Sequence, residues 1–238
     1  MILNKLITEP KDVLHKVLDS IERRESLLLT YLNQHCFNIY HENKDYRKLL
    51  DAKFDVYQAD LGIYFALKYL RAEKINRIDA TAMNEMILIE LIKRKISIVL
   101  VGGNYDEQFV SEETRKRGIN LAGYKNGYFE GSQTENIIHE LKDFDSQVFI
   151  VGMGVPRQEL FAAILGKALD SKVIICVGNF FEFYFGTKKR APVFIRKIGF
   201  EWMFRLMTEP RRLWTRYIIG IPVFFYRIIK IKFTSKST

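Results

Sequence analysis

Apolar residues recur along the chain in two spacings, one typical of helices and one of buried strands. Apolar side chains three and four residues apart predict helices over residues 11–24, 46–52, 63–72 and 80–95. Shorter apolar runs predict strands at 27–32 and 54–57, and three runs rich in valine and isoleucine predict further strands at 98–101, 148–151 and 173–177. β-rich runs that alternate with helical segments indicate an α/β fold, with a parallel, Rossmann-like sheet joined by crossover helices.

Glycines follow each of the last three strands and mark one edge of the predicted sheet. Gly102 and Gly103 follow the first run, Gly152 and Gly154 the second, and Gly178 the third. Ligands of open parallel sheets bind outside the carboxyl ends of the strands. We therefore expect a ligand site at this edge.

The turn after the second of these strands narrows the class of ligand. A dinucleotide-binding fingerprint has a third glycine where Arg157 stands, so the sequence argues against NAD or FAD. Pro156 suits the first turn of a helix, and Gln158 and Glu159 would lie at its mouth. For this motif alone, a tight turn without a ligand is an equal alternative.

Two groups of carboxylates suggest different chemistry. Asp143 and Asp145 have the spacing of a metal-binding Asp-x-Asp, but they precede a strand and so lie at the opposite edge of the sheet. We therefore predict no metal site. Asp60 follows the strand at 54–57 and would face the glycine turns, either as a general base or simply as a helix N-cap. The N-cap is favoured by this feature alone.

Positive charge is concentrated at the carboxyl end of the chain. Residues 186–238 contain thirteen Lys or Arg and two acidic residues, whereas the whole protein has a net charge of +9. The longest uncharged run there, 217–226, is shorter than the roughly 20 residues that cross a bilayer, but it can lie in the membrane interface. We predict a core over 1–195 and a basic, aromatic, membrane-associating appendage over 196–238.

The remaining composition favours a cytoplasmic protein that is peripheral at the inner face of the cell membrane. Cys36 and Cys176 are far apart and lack zinc-type spacing, as expected for reduced thiols. The first ten residues lack the apolar run of a secretory signal. The basic residues alternate with large aliphatics such as Ile218, which suits lipid better than nucleic acid.

Several motifs occur in one order along the chain, at residues 101–103, 127–129, 152–159, 177–186, 190–192, 199–202, 205–206, 209–213 and 216–217. Together they resemble one family, the WecG/TagA/CpsF glycosyltransferases, and the resemblance covers roughly residues 30–225.

The resemblance implies a function and a set of site residues. It implies transfer of a sugar, typically N-acetylmannosamine, from UDP to an undecaprenyl-diphosphate-linked acceptor, with inversion and without a metal or cofactor. Asp60 would be the base, with Asn33 and Arg77 beside it. The acceptor diphosphate would meet Arg205, Arg212 and Arg216. The residues expected to bind substrate are Gly102, Gly103, Tyr128, Gly152, Gly154, Pro156, Arg157, Gln158, Glu159, Gly178 and Glu182.

Two segments depart from the family pattern. The Asp-Gly-x-Gly of the family is one residue shorter here, as Asp60-Leu-Gly62, and Ala80 and Ala82 replace a glycine and an aspartate. A catalytically weak membrane-bound scaffold is therefore an alternative to an active transferase. The sequence leaves open the sugar, the acceptor, the polymer and the oligomeric state, a homo-oligomer included.

Overall fold

A computed structural model describes residues 1–71, 75–192, 194–195 and 200–234, and within them the chain forms one parallel sheet flanked by helices. The sheet has the strand order β2-β1-β6-β5-β3-β4. Its strands are β1 (Leu27–Leu32), β2 (Asp55–Gln58), β3 (Ile98–Gly102), β4 (Leu121–Lys125), β5 (Val148–Gly152) and β6 (Val173–Cys176). The predicted α/β class is confirmed.

The predicted helices are present with shifted ends. The helix expected at 63–72 is observed as Leu61–Arg71, and its predicted last residue lies outside the described part of the chain. Helix Gln34–Glu42 and strand β4 were not predicted. The helices of the core are α1 (Pro10–Arg23), α2 (Gln34–Glu42), α3 (Lys44–Lys53), α4 (Leu61–Arg71), α5 (Ala80–Lys93), α6 (Glu107–Lys116), α7 (Thr134–Lys142), α8 (Arg157–Ala168) and α9 (Phe180–Tyr184), with 3-10 turns at Ile2–Asn4 and Gly131–Gln133.

The sheet has apolar helices on both faces because successive side chains of a strand point to opposite sides. In β3, Ile98 and Leu100 join the hydrophobic cluster that includes residues of α1 and α5. Val99 and Val101 join the cluster formed with α7 and α8. Covering both faces explains the almost continuous valine and isoleucine runs of the central strands.

The strand order creates a crevice between β3 and β5. The connection that leaves β3 leads outward to β4, whereas the connection that leaves β5 leads the other way, to β6. Where neighbouring parallel strands send their connections in opposite directions, the loops separate and leave a groove at the carboxyl edge. This groove fixes the position of the first cavity described below.

The carboxyl-terminal appendage is helical and packs against the core. It comprises α10 (Glu201–Thr208), α11 (Pro210–Trp214), a π-helical turn (Thr215–Ile219) and α12 (Gly220–Thr234). Phe224 of α12 is fully buried, and its ring meets the ring of Phe37 edge-on at 5.3 Å. The predicted boundary at residue 196 lies outside the described residues. No helix in the described part of the chain has the length and apolarity to cross a membrane.

Candidate active site

A cavity of about 440 Å³, the sheet-edge cavity, opens at the groove between β3 and β5. The described residues that line it include all five glycines predicted at this edge: Gly102, Gly103, Gly152, Gly154 and Gly178. The structure thus brings three separate strand ends together around one space. Backbone amides at such a place suit a phosphate group.

Close approach of the strand ends explains why glycine is required there. A Cβ atom on Gly102 would lie 2.4 Å from the carbonyl oxygen of Gly152, and one on Gly152 would lie 2.6 Å from that of Gly178. Gly102 also has a φ of +152°, a backbone conformation that residues with a side chain rarely adopt. The cavity is therefore bounded by bare backbone at its floor.

Charged and aromatic side chains line the rim of the sheet-edge cavity. Tyr128 is 71% exposed, and the Arg157 guanidinium donates to the carbonyl oxygen of Phe129 and stacks on its ring. Glu182 forms an ion pair with Lys188 at 2.8 Å. The predicted residues Tyr128, Arg157 and Glu182 all line this cavity.

Gln158 and Glu159 lie beneath the cavity instead of in it. Both side chains are fully buried, which does not fit their predicted direct contact with substrate. The Gln158 side chain accepts a hydrogen bond from the backbone N–H of Gly178 at 2.9 Å and donates one to Glu159, which also accepts from the Thr30 hydroxyl. Burial raises the pKa of Glu159 to about 7. The pair therefore supports the Gly178 turn.

Pro156 is at the N-cap of α8, one position before the first turn that was expected. It is not among the residues that line either cavity described here. Its neighbours Val155 and Arg157 do line the sheet-edge cavity. Pro156 thus lies between two lining residues without lining the cavity itself.

A second cavity of about 400 Å³, the appendage cavity, lies between the core and the appendage. The three predicted catalytic residues, Asn33, Asp60 and Arg77, all line it, although they come from three separate segments. On the appendage side it is bounded by Trp202, Arg205, Arg216, Tyr217, Ile221 and Phe225. The space therefore exists only because the appendage is docked.

Asp60 caps one helix and bridges to another. Its Oδ1 atom accepts from the backbone N–H of Ile63 at 2.9 Å, and its Oδ2 atom accepts from that of Gln34 at 3.0 Å. Its φ is +95°, a sparsely populated value for a residue with a side chain. The two sequence interpretations are compatible, since a capping carboxylate also faces the cavity.

The environment of Asp60 suits a base that works near neutral pH. Burial raises the pKa of Asp60 to about 6, against the lowering effect of hydrogen bonds from Ile63 and Gln34 and of the positive charge of Arg216. Proton transfer is most effective when the pKa of the base lies near the working pH.

Turnover should therefore fall as the pH drops through about 6, because the acid form of Asp60 cannot accept a proton. The measurement is the pH dependence of kcat/KM, which reports the free enzyme. A profile that stays flat down to about pH 4, where ordinary carboxyl groups titrate, would show that the base is not a carboxylate with a raised pKa.

Arg205 and Arg216 line both cavities and so form their common wall. Arg205 is engaged, with its guanidinium 3.0 Å from Glu201 and 4.7 Å from the centre of the Phe183 ring. Arg216 forms no ion pair among the described residues, and its buried Nε atom lacks a hydrogen-bond partner there. An anion at this junction would supply the missing partner. Arg212, the third predicted arginine, lines only the sheet-edge cavity and pairs with Glu209 at 2.6 Å.

Two further residues belong to the site but carried no clear sequence signal. Gln58 is fully buried, and its side chain donates to the Asp60 carbonyl at 3.3 Å and accepts from the Ile78 N–H at 3.0 Å, so it holds the Asp60 loop. His35 lines the sheet-edge cavity, and burial together with Arg216 lowers its pKa to about 4. The one signal for His35 is its position after a strand.

The predicted Asp-x-Asp lies away from both cavities. Asp143 ends α7 and Asp145 precedes β5, at the amino-terminal edge of the sheet. In the part of the chain that the structure describes, no three His, Cys, Asp or Glu side chains are grouped as metal ligands would be.

The two cavities share a wall that carries Arg205 and Arg216, and the appendage cavity also contains the Asp60 carboxylate. This arrangement suits the transfer of a group between two anionic substrates. Residues 2–238 match the model of the glycosyl transferase WecG/TagA/CpsF family. The protein is therefore a glycosyltransferase, and the chain belongs to the WecG/TagA/CpsF family.

Proposed function

We propose that this enzyme transfers N-acetylmannosamine or a related hexose from a UDP donor to an undecaprenyl-diphosphate-linked sugar, with inversion and without a metal or other cofactor. The observation that carries the proposal is the shared wall of Arg205 and Arg216 between a glycine-lined cavity and a cavity that holds Asp60. The lipid-linked product would be an intermediate in the synthesis of a cell-surface polysaccharide.

The sheet-edge cavity suits the UDP-sugar. Its floor offers backbone at Gly102, Gly152 and Gly178, which can approach a diphosphate closely. Its aromatic rim at Tyr128 can cover a base or sugar ring. Arg216, which forms no ion pair within the described part of the chain, also lines this cavity and can stabilise the charge that the leaving diphosphate gains.

The appendage cavity suits the acceptor. The Asp60 carboxylate takes the proton of the attacking acceptor hydroxyl, whose oxygen forms a bond to the anomeric carbon as the bond from that carbon to the UDP oxygen breaks. Attack from the side opposite UDP inverts the anomeric carbon. UDP leaves with the bonding electron pair, and Arg205 and Arg216 stabilise its charge.

The outer face of the appendage suits an anionic membrane surface. Exposed large apolar side chains of the appendage include Met207 at 76%, Trp214 at 58% and Tyr226 at 64%. Basic residues of the appendage such as Arg211 are exposed as well. An acceptor anchored in the bilayer would thus reach the cavity from the same side.

Substitution of Trp214 by serine should weaken binding to anionic vesicles, because less apolar surface enters the interface. Added salt should weaken binding further without abolishing it, since each basic residue near the surface contributes about 1 kcal/mol. Vesicle co-sedimentation measures both effects. The matched control is Leu160→Ser, on an exposed apolar residue of α8. Equal losses in the two variants would refute this membrane face.

The decisive experiment incubates the enzyme with a panel of UDP-sugars and a short-chain lipid-diphosphate sugar, and identifies products by mass spectrometry. We expect one hexose to be added, and the reaction to persist in excess EDTA. Loss of activity in EDTA that manganese restores would refute metal independence. The absence of product with every donor would favour the scaffold alternative, which the altered Ala80 and Ala82 segment keeps open.

A further inference from the structure

The π-helical turn that carries Arg216 has a cause in the sequence. Pro222, in the first turn of α12, has no N–H to donate to the Ile218 carbonyl, so the α-helical hydrogen bonds cannot run unbroken from α11 into α12. The turn widens instead, and the N–H of Gly220 bonds the Thr215 carbonyl five residues earlier. Single π turns of this kind are frequent at functional sites.

A buried side chain of the core holds the residue that closes this turn. Asn38 of α2 is 6% exposed, and its Nδ2 atom donates to the carbonyl oxygen of Gly220 at 2.7 Å. Its Oδ1 atom accepts from Arg227 at 3.0 Å, and Arg227 also pairs with Glu42 at 2.8 Å. Asn38 is not among the residues that line the two cavities, and its side chain contacts the appendage at Gly220 and Arg227.

We propose that Asn38 is a positioning residue that directs Arg216 into the junction of the two cavities by fixing Gly220. The amide anchors the carbonyl of Gly220, whose own N–H closes the turn on Thr215, the neighbour of Arg216. Without this anchor α12 still packs on α2 through Phe224 and Phe37, but the Gly220 carbonyl loses its direct hydrogen bond to α2, and the π turn shifts the guanidinium relative to Asp60. A cation displaced by about 1 Å can cost about 10²-fold in rate.

Asn38→Asp tests this link with little change of shape. The aspartate still accepts from Arg227, but it places an oxygen instead of an N–H against the Gly220 carbonyl. A crystal structure of the variant should show the Arg216 guanidinium withdrawn from the junction, whether or not the hydrogen bond between Thr215 and Gly220 is also broken. An unmoved Arg216 in a folded Asn38→Asp protein would overturn the proposal.

The kinetic test of Asn38→Asp rests on the proposed function, whereas the crystal structure of the variant does not. We expect Asn38→Asp to lower kcat by about 10²-fold. In an Arg216→Gln background the same change should have no further effect, because Asn38 acts through Arg216. If Asn38→Asp lowers kcat by the same factor in the wild type and in the Arg216→Gln background, Asn38 does not act through Arg216 and its role is merely structural. An inactive wild-type protein would count against the proposed function alone.

Two further variants separate positioning from docking and from misfolding. Glu42→Gln removes the negative charge that pairs with Arg227 but leaves the bond from Asn38 to Gly220, so Arg216 and kcat should be unchanged. Asn38→Leu removes the donor without adding a charge and gives the same crystallographic and kinetic readouts if the aspartate variant does not fold. A loss in Glu42→Gln equal to that in Asn38→Asp would overturn the proposal in favour of general docking.

Discussion

Replacement of Asp60 by asparagine should lower turnover by about 10²–10⁴-fold, the usual scale for the loss of a general base, while UDP binding is retained. The amide cannot take up the acceptor proton. It still accepts one backbone hydrogen bond, but it cannot serve both Ile63 and Gln34, so we also expect a loss of about 1 kcal/mol in the free energy of unfolding. Single-turnover kinetics and thermal unfolding measure the two effects separately.

The matched control for Asp60→Asn is Asp106→Asn. Asp106 caps α6 by accepting from Gln108 at 2.8 Å, and it is not among the residues that line the two cavities. One oxygen of Asp106 accepts from both Gln108 and Phe109, and asparagine keeps that oxygen, so this control should keep both its stability and its turnover. If Asp60→Asn also keeps its turnover, Asp60 is only a cap, and Asp79, which also lines the appendage cavity, becomes the next carboxylate to test.

Replacement of Arg216 by glutamine should lower turnover by about 10²–10³-fold, the cost of removing one group that stabilises developing charge. The variant should also work less well at a pH where the wild type is fully active. Arg216 lowers the pKa of Asp60, so its removal raises that pKa and moves the acid limb of the pH profile upward. The pH dependence of kcat/KM tests both effects.

Arg211→Gln provides the control for charge alone. Arg211 is an exposed arginine of α11 and is not among the residues that line the two cavities. We expect it to weaken membrane attachment slightly and to leave turnover on a water-soluble acceptor unchanged. If Arg216→Gln shifts neither the rate nor the acid limb relative to this control, Arg216 does not face the leaving group.

Burial determined which elements the sequence could predict. The central strands are covered on both faces and therefore read as continuous apolar runs. Strand β4 lies at the edge of the sheet and is mostly half-exposed, and its sequence Leu121-Ala-Gly-Tyr-Lys125 has no such run. Helix α2 has nine residues, too few for a helical period to be clear in the sequence, although Asn33 is its N-cap and accepts from the Cys36 N–H.

The sequence predicts those parts of the site whose positions depend only on the topology of the sheet. Strand-end glycines must meet at one edge of a parallel sheet, so the sheet-edge cavity follows from their spacing. The sequence does not say which way a helical side chain points, which is why Gln158 and Glu159 were expected in the cavity when they lie beneath it. The link between Asn38 and Gly220 spans 182 positions, and no local pattern reports a contact of that range.

A wall shared by two cavities makes the two substrates thermodynamically linked. In the proposed reaction the donor and the acceptor each carry a diphosphate, and both would draw on the guanidinium groups of Arg205 and Arg216. Occupation of one cavity would then change the affinity of the other, and reciprocity requires the change to be equal in both directions. The order in which the substrates arrive cannot alter that coupling free energy. If the product is UDP, as proposed, the wall that would accelerate transfer would therefore also determine how strongly UDP opposes binding of the next acceptor.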